Sequence, residues 1–147
     1  MPPEITPVEL FAALDDGGPA VLLDSARPHP VTGRYSVIAS KPTSVFESDG
    51  AHKKSDPIAA LREIHKSRRV SVPESWPPFI GGAVGFLSYD ACRLFEKVPC
   101  TTRSDVAQPT LWFGLFDDVA VVDHLCGQLW LFAALTENRS SDRAQEA

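Results

Sequence analysis

The chain has 147 residues, 44% of them apolar and 22% charged, the make-up of one soluble globular domain that buries roughly two thirds of its unfolded surface without metal or disulfide staples. A net charge of −5 argues against a nucleic-acid partner and against a membrane surface, since both need clustered positive charge. The three cysteines, Cys92, Cys100 and Cys126, are an odd number without C-x-x-C spacing, which argues against a disulfide framework and a zinc site and fits a reduced cytoplasm.

Met1-Pro2-Pro3-Glu4 offers neither the basic n-region nor the apolar h-region of a signal peptide, and no apolar run is long enough to span a bilayer. The sequence therefore reads as cytoplasmic. Thr6-Pro7-Val8-Glu9 predicts a helix start, with Thr6 at the N-cap, Pro7 at the first helical position and Glu9 completing a capping box. Leu10, Phe11 and Leu14 form its buried stripe, and Asp15-Asp16-Gly17-Gly18-Pro19 ends it. Ala20 to Ser25 is a short apolar run, read as a central strand ending in two polar residues.

Ala26 to Thr32 is a loop, and Gly33 to Ser40 a strand of β-branched and aromatic residues. Lys41-Pro42 breaks it, and Thr43 to Glu47 is its hairpin mate or a following edge strand. Asp56-Pro57 opens a helix with Ile58, Leu61, Ile64 and His65 on one face. The basic run from His65 to Arg69 at its end is read as a solvated complement to the helix dipole rather than an anion site.

Pro78 to Asp90 reads as a buried strand in which Gly81, Gly82 and Gly85 allow another segment to approach closely. A short helical pattern follows, with Cys92, Leu94 and Phe95 at core spacing. Lys97 to Gln108 is a surface loop. Pro109 to Phe116 is another strand, and Val119 to His124 pairs with Gln128 to Ala133 across Leu125-Cys126-Gly127. Residues 136–147 carry no large apolar residue and read as a polar linker or tail. Seven or eight short strands with two or three flanking helices predict an α+β fold of largely antiparallel, sandwich-like sheets.

Candidate chemistry centres on two strand ends. The loop from Ala26 brings the Ser25 hydroxyl near the Arg34 guanidinium, and with exposed backbone amides these groups can converge on a small zwitterion. Asp117, Asp118, Asp123 and His124 could bind a metal or relay protons, but a tight turn and a polar strand end account for them. The glycines lack the spacing of a nucleotide loop, Ser88 lacks a G-x-S-x-G elbow, and His29, His52 and His65 are scattered.

Pro-Phe-Ile-Gly-Gly-Ala-Val-Gly-Phe-Leu-Ser-Tyr-Asp over Pro78 to Asp90 resembles the signature strand of the N-terminal domain of aminodeoxychorismate synthase component I (para-aminobenzoate synthase component I) and anthranilate synthase component I. Leu22-Leu23-Asp24-Ser25 and Gly33-Arg34-Tyr35-Ser36 are similar to two further segments of that domain, as are Phe113 to Asp118 and Val122-Asp123-His124. The resemblance implies a domain over residues 1–135, a tail over 136–147, and a catalytic chorismate-binding domain absent from this chain. It also implies a tryptophan-like ligand pocket at Ser25, Thr32, Gly33, Arg34 and Tyr35.

The spacing from Ser25 to Arg34 resembles the aminodeoxychorismate branch, hence 4-aminobenzoate and folate biosynthesis over tryptophan biosynthesis, while two positions depart from the family pattern: Asp24 stands where anthranilate synthases usually have Glu, and Thr32-Gly33 is smaller than the Tyr-Ser type sequence of aminodeoxychorismate relatives. The implied protein replaces the chorismate 4-hydroxyl with an amino group, using ammonia from a glutamine amidotransferase subunit. Magnesium is implied for the missing domain and no cofactor for this chain, from which alone no catalysis is expected. Two other readings are a free-standing aromatic amino-acid-binding or interaction module and a packing scaffold with a vacant pocket.

Overall fold

The structure, a computed structural model, describes residues 5–27, 29–49, 56–68, 70–99, 101 and 107–134. Cys100, residues 102–106 of the 97–108 loop and the tail over 136–147 lie outside these residues. Thr6 caps α1 (Pro7–Leu14) as expected: its Oγ1 accepts from Glu9 N at 3.2 Å while Thr6 N donates to Glu9 Oε2 at 2.9 Å. Removing the cap by Thr6→Ala is expected to cost about 1 kcal/mol, which thermal unfolding should register as a Tm lower by about 3 °C.

Two antiparallel sheets make up the body. The first has the order β1 (Ala20–Leu23), β2 (Tyr35–Ser40), β6 (Asp118–Asp123), β7 (Gln128–Ala133). The second has the order β3 (Ser44–Ser48), β5 (Leu111–Phe116), β4 (Gly82–Leu87). Between β3 and β4 lies α2 (Pro57–Ser67), whose N-cap Asp56 accepts from Ile58 N and Ala59 N. A 3-10 helix over Tyr89–Leu94 follows β4. The fold is α+β with antiparallel sheets, as the sequence predicts.

The chain changes sheet at two corners. Lys41, Pro42 and Thr43 carry it from β2 to β3, with Lys41 in the left-handed region at φ 56°. A single residue, Asp117, separates β5 from β6, and its buried carboxylate accepts a hydrogen bond from Arg68 at the end of α2. The basic run after α2 is thus not wholly solvated, because Arg68 has a structural partner. Of the two expectations for the segment after Lys41, the following edge strand holds and the hairpin mate does not: β3 lies at the edge of the second sheet and pairs with β5, in register Val45↔Gly114 and Phe46↔Phe113.

The core lies where the sheets face each other. Phe116 from β5 meets Val37 and Ala39 of β2 and Val119 and Val121 of β6, with Val84, Phe79 and Trp130 packed against them. Alternation along β2 turns Tyr35, Val37 and Ala39 to this core. Ser36 and Ile38 lie on the opposite face, and both are fully buried. Helix α1 packs over β1 and β2.

Two strands differ in place from the sequence reading. β1 is an edge, not a central strand; its apolar run reflects a helix on one face and the core on the other. β4 is also an edge strand, with Gly85, Phe86 and Leu87 exposed. The segment approaching its glycines is its own partner β5: a Cβ on Gly85 would strike the Trp112 carbonyl and the Phe113 ring. Beyond it, Cys92 and Leu94 are half-buried, whereas Phe95 is 63% exposed and no part of the core.

Candidate functional site

A turn over residues 29–33 forms one wall of a small cleft. Gly33 N donates to the His29 carbonyl at 3.1 Å. His29 Nδ1 accepts from Val31 N at 3.2 Å and Thr32 N at 3.1 Å, with Thr32 Oγ1 also at 3.1 Å. Gly33 is buried, and a side chain there would run into the Arg27 carbonyl and lie 2.8 Å from His29 N. Only glycine lets the chain close on itself this tightly before β2 begins.

The opposite wall is the end of β6. Antiparallel pairing sets Tyr35 against Asp123, so Arg34 and His124 come together one step beyond, where His124 N donates to the Arg34 carbonyl at 2.8 Å. Arg34 grips Asp123 with Nε at 3.1 Å from both carboxylate oxygens and Nη2 at 2.7 Å from Oδ2. Asp123, 2% exposed, also accepts from Leu125 N at 3.0 Å and Cys126 N at 3.2 Å. The Arg34 hydrogen bonds hold the Asp123 carboxyl below its ordinary range, against the opposing effect of burial, and Asp123 in turn raises the Arg34 guanidinium above its own. The guanidinium carbon lies 4.8 Å over the Tyr35 ring.

Behind this wall a single hydroxyl joins three strand ends. Ser36 Oγ, fully buried, donates to Asp24 Oδ1 at 2.8 Å, accepts from Ser25 N at 3.0 Å, and lies 2.7 Å from His124 Nε2. The Ser25 hydroxyl donates to the Tyr35 carbonyl at 2.6 Å. Between the walls opens a cleft of about 180 Å³ lined by His29, Pro30, Gly33, Arg34, His124 and Leu125.

Of the residues expected at a pocket, Gly33 and Arg34 line the cleft. Ser25, Thr32 and Tyr35 stand behind it as its frame: Ser25 ties β1 to β2, Thr32 holds His29, and Tyr35 packs on the core below Arg34. The sequence reading passed over His29 as scattered and took His124 as the polar end of a strand. The available signal for His124 was strand pairing, since a residue just beyond β6 meets one just before β2 in an antiparallel register. No comparable signal places His29.

The acids take the places that the turn and strand-end reading gives them and form no cluster. Asp117 and Asp118 stand at one end of the six-residue β6 and Asp123 at the other, roughly 17 Å apart at strand rise, and Asp117 and Asp123 each pair with an arginine. Among the described residues no group of three or more His, Cys, Asp or Glu could hold a metal ion. These residues therefore do not fit the magnesium that the family resemblance implies for its catalytic domain.

A family model described as chorismate binding enzyme matches residues 18–147. The chain belongs to the chorismate binding enzyme family. Aminodeoxychorismate synthase component 1 of Bacillus subtilis is 35% identical over 134 residues, which cover 84% of this chain and 27% of that protein. Anthranilate synthase component 1 of Streptomyces coelicolor is 35% identical over 143 residues, covering 93% of this chain and 26% of that protein. This family member thus spans about a quarter of the length of these curated relatives.

Among solved structures, anthranilate synthase component I from Streptococcus pneumoniae superposes with a TM-score of 0.60 at 20% identity, covering 99% of this chain and 35% of that one. The likeness establishes a shared fold for this part of the chorismate binding enzymes. No helix among the described residues is long and apolar enough to cross a membrane.

Proposed function

We propose that this chain is the non-catalytic, pocket-bearing N-terminal domain of aminodeoxychorismate synthase component I, in 4-aminobenzoate formation for folate. The observation that carries the reading is 35% identity to the Bacillus subtilis component 1 over 84% of this chain, within only 27% of that protein. In this reading the remaining part of the enzyme binds chorismate and magnesium and displaces the 4-hydroxyl as water with ammonia from a glutamine amidotransferase subunit. This domain packs against that part and holds an amino-acid-type ligand, tryptophan-like, at the cleft of Gly33 and Arg34. Asp123 fixes the guanidinium there, so that Arg34 presents a set charge rather than a mobile one.

The anthranilate branch is the second reading, favoured by 35% identity to the Streptomyces coelicolor component 1 over 93% of this chain. An ammonia-dependent assay of the full-length protein with chorismate and magnesium separates the two. Appearance of 4-aminobenzoate once a lyase is added supports the first reading, and direct appearance of fluorescent anthranilate overturns it in favour of the second. Absence of both products overturns both branches and leaves a free-standing amino-acid-binding module. Turnover by the 147-residue chain alone would refute the assignment of catalysis to the missing part.

A further inference from the structure

The two halves of the body are built in the same order. α1, the antiparallel pair β1–β2 and then β3 are followed by α2, the antiparallel pair β4–β5 and then β6. In each half the third strand turns a corner and pairs with the second strand of the other half, β3 with β5 and β6 with β2. The order β1-β2-β6 in the first sheet therefore matches β4-β5-β3 in the second. The match ends at β7. It lies beyond β6 in the first sheet, whereas among the described residues no strand lies beyond β3 in the second.

The consequence shows in two valines. Val121 of β6 belongs to the core, and Val45 of β3 faces the same side of its own sheet, since it pairs with Gly114, two residues before the core ring of Phe116. Val121 sits between Val37 of β2 and Trp130 of β7 and is fully buried. Val45 has Gly114 on one side and, among the described residues, no strand on the other, and it is 46% exposed. The apolar face continues along β5 and β4, where Trp112 and Phe86 stack with centroids 6.5 Å apart and Phe86 is 44% exposed. Edge strands left free in solution are ordinarily guarded by lysine, proline or a bulge, but β3 reads Ser-Val-Phe-Glu-Ser and holds neither lysine nor proline.

We propose that the free edge of β3 is the seat of a strand from the part of the component 1 polypeptide outside this domain, which extends the second sheet as β7 extends the first. The inference rests on the reading of this chain as one domain of that longer enzyme, whose curated relatives carry about three quarters of their length outside the matched region. Residues 136–147 hold no large apolar residue to set against Val45, so the strand comes from elsewhere in that polypeptide. A second copy fits less well. An edge of five residues falls far short of the roughly 1,200–2,000 Å² that a stable interface buries, and two chains each of net charge −5 repel. A segment of the same polypeptide arrives at about millimolar effective concentration and needs no such area. Cross-strand pairing sets its character: an apolar residue opposite Val45, as Trp130 stands opposite Val121, and no acid opposite Glu47.

The test uses the full-length protein with the photoreactive substitution Val45→p-benzoylphenylalanine. Irradiation should give a crosslink at the mass of a single chain, to a peptide outside residues 1–147. A crosslink that joins two chains, one that reaches the amidotransferase subunit, one that stays within residues 1–147, or none at all overturns the proposal. Hydrogen exchange on the unaltered full-length protein keeps the test independent of the substitution. Amides across Ser44–Ser48 should all be slowed by about a hundredfold or more, those facing away from β5 included, and fast exchange at alternate amides overturns the proposal. The size of the native polypeptide in source cells tests the underlying reading separately. A polypeptide no longer than 147 residues overturns that reading and the proposal with it, whereas a longer one without the crosslink overturns the proposal alone.

Discussion

Phe116→Ala is expected to cost about 4 kcal/mol and to lower the Tm by about 12 °C. Phe116 is fully buried and is the contribution of β5 to a core otherwise drawn from β2 and β6, namely Val37, Ala39, Val119 and Val121. Its ring therefore spans the joint between the sheets, and its loss leaves a void bounded by two rigid backbones rather than by loops that can fall inward. The same ring explains Gly114, where a Cβ would lie 2.8 Å from the Phe116 ring. Urea unfolding followed by tryptophan fluorescence should show a lower midpoint at unchanged slope. A loss under about 1 kcal/mol would mean that the sheets do not close on this residue.

What the sequence revealed of the fold was what period and punctuation encode. The Thr6 capping box, the proline after Asp56 and the Leu125 to Gly127 turn are local devices, and each stands where it was read. Strand position within a sheet was not legible. β1 and β4 are apolar enough to pass for central strands, yet both are edges, because apolar content reports what covers the two faces and says nothing of the number of neighbours. The shift of β3 into the second sheet depends on the corner at Lys41, and a sequence shows a break there but not its direction.

The cleft was half legible for a related reason. Gly33 and Arg34 belong to a compact motif, whereas their partners Asp123 and His124 lie 89 and 88 residues from the groups they bond. Only the β2–β6 register joins them. At Ser25 the sequence shows a hydroxyl at a strand end but not that its proton goes to the Tyr35 carbonyl, a bond set by the pairing of β1 with β2.

Asp123→Asn should lower the Tm by about 6 °C at pH 7, from the loss of about 2 kcal/mol in charge-assisted hydrogen bonding to a buried carboxylate, and the gap between variant and parent should narrow in acid. In the folded chain the Asp123 carboxyl is held below its ordinary range by Arg34, while the unfolded chain titrates near the reference of about 3.9. Above that value both states are ionised and the stabilisation is fully present. As the pH falls further the unfolded chain takes up the proton first, so the advantage of the folded state shrinks, and it is gone once the folded carboxyl is protonated as well.

Glu9 and Asp16 are also held low, by Thr6 and by Gly18 with Lys41, but parent and variant share them and their contribution cancels in the difference. Melting curves of both proteins from pH 7 to pH 3 make the measurement. A Tm difference constant across that range would show that Asp123 acts through packing alone, and Arg34 would then owe nothing to its charge for its place in the cleft wall.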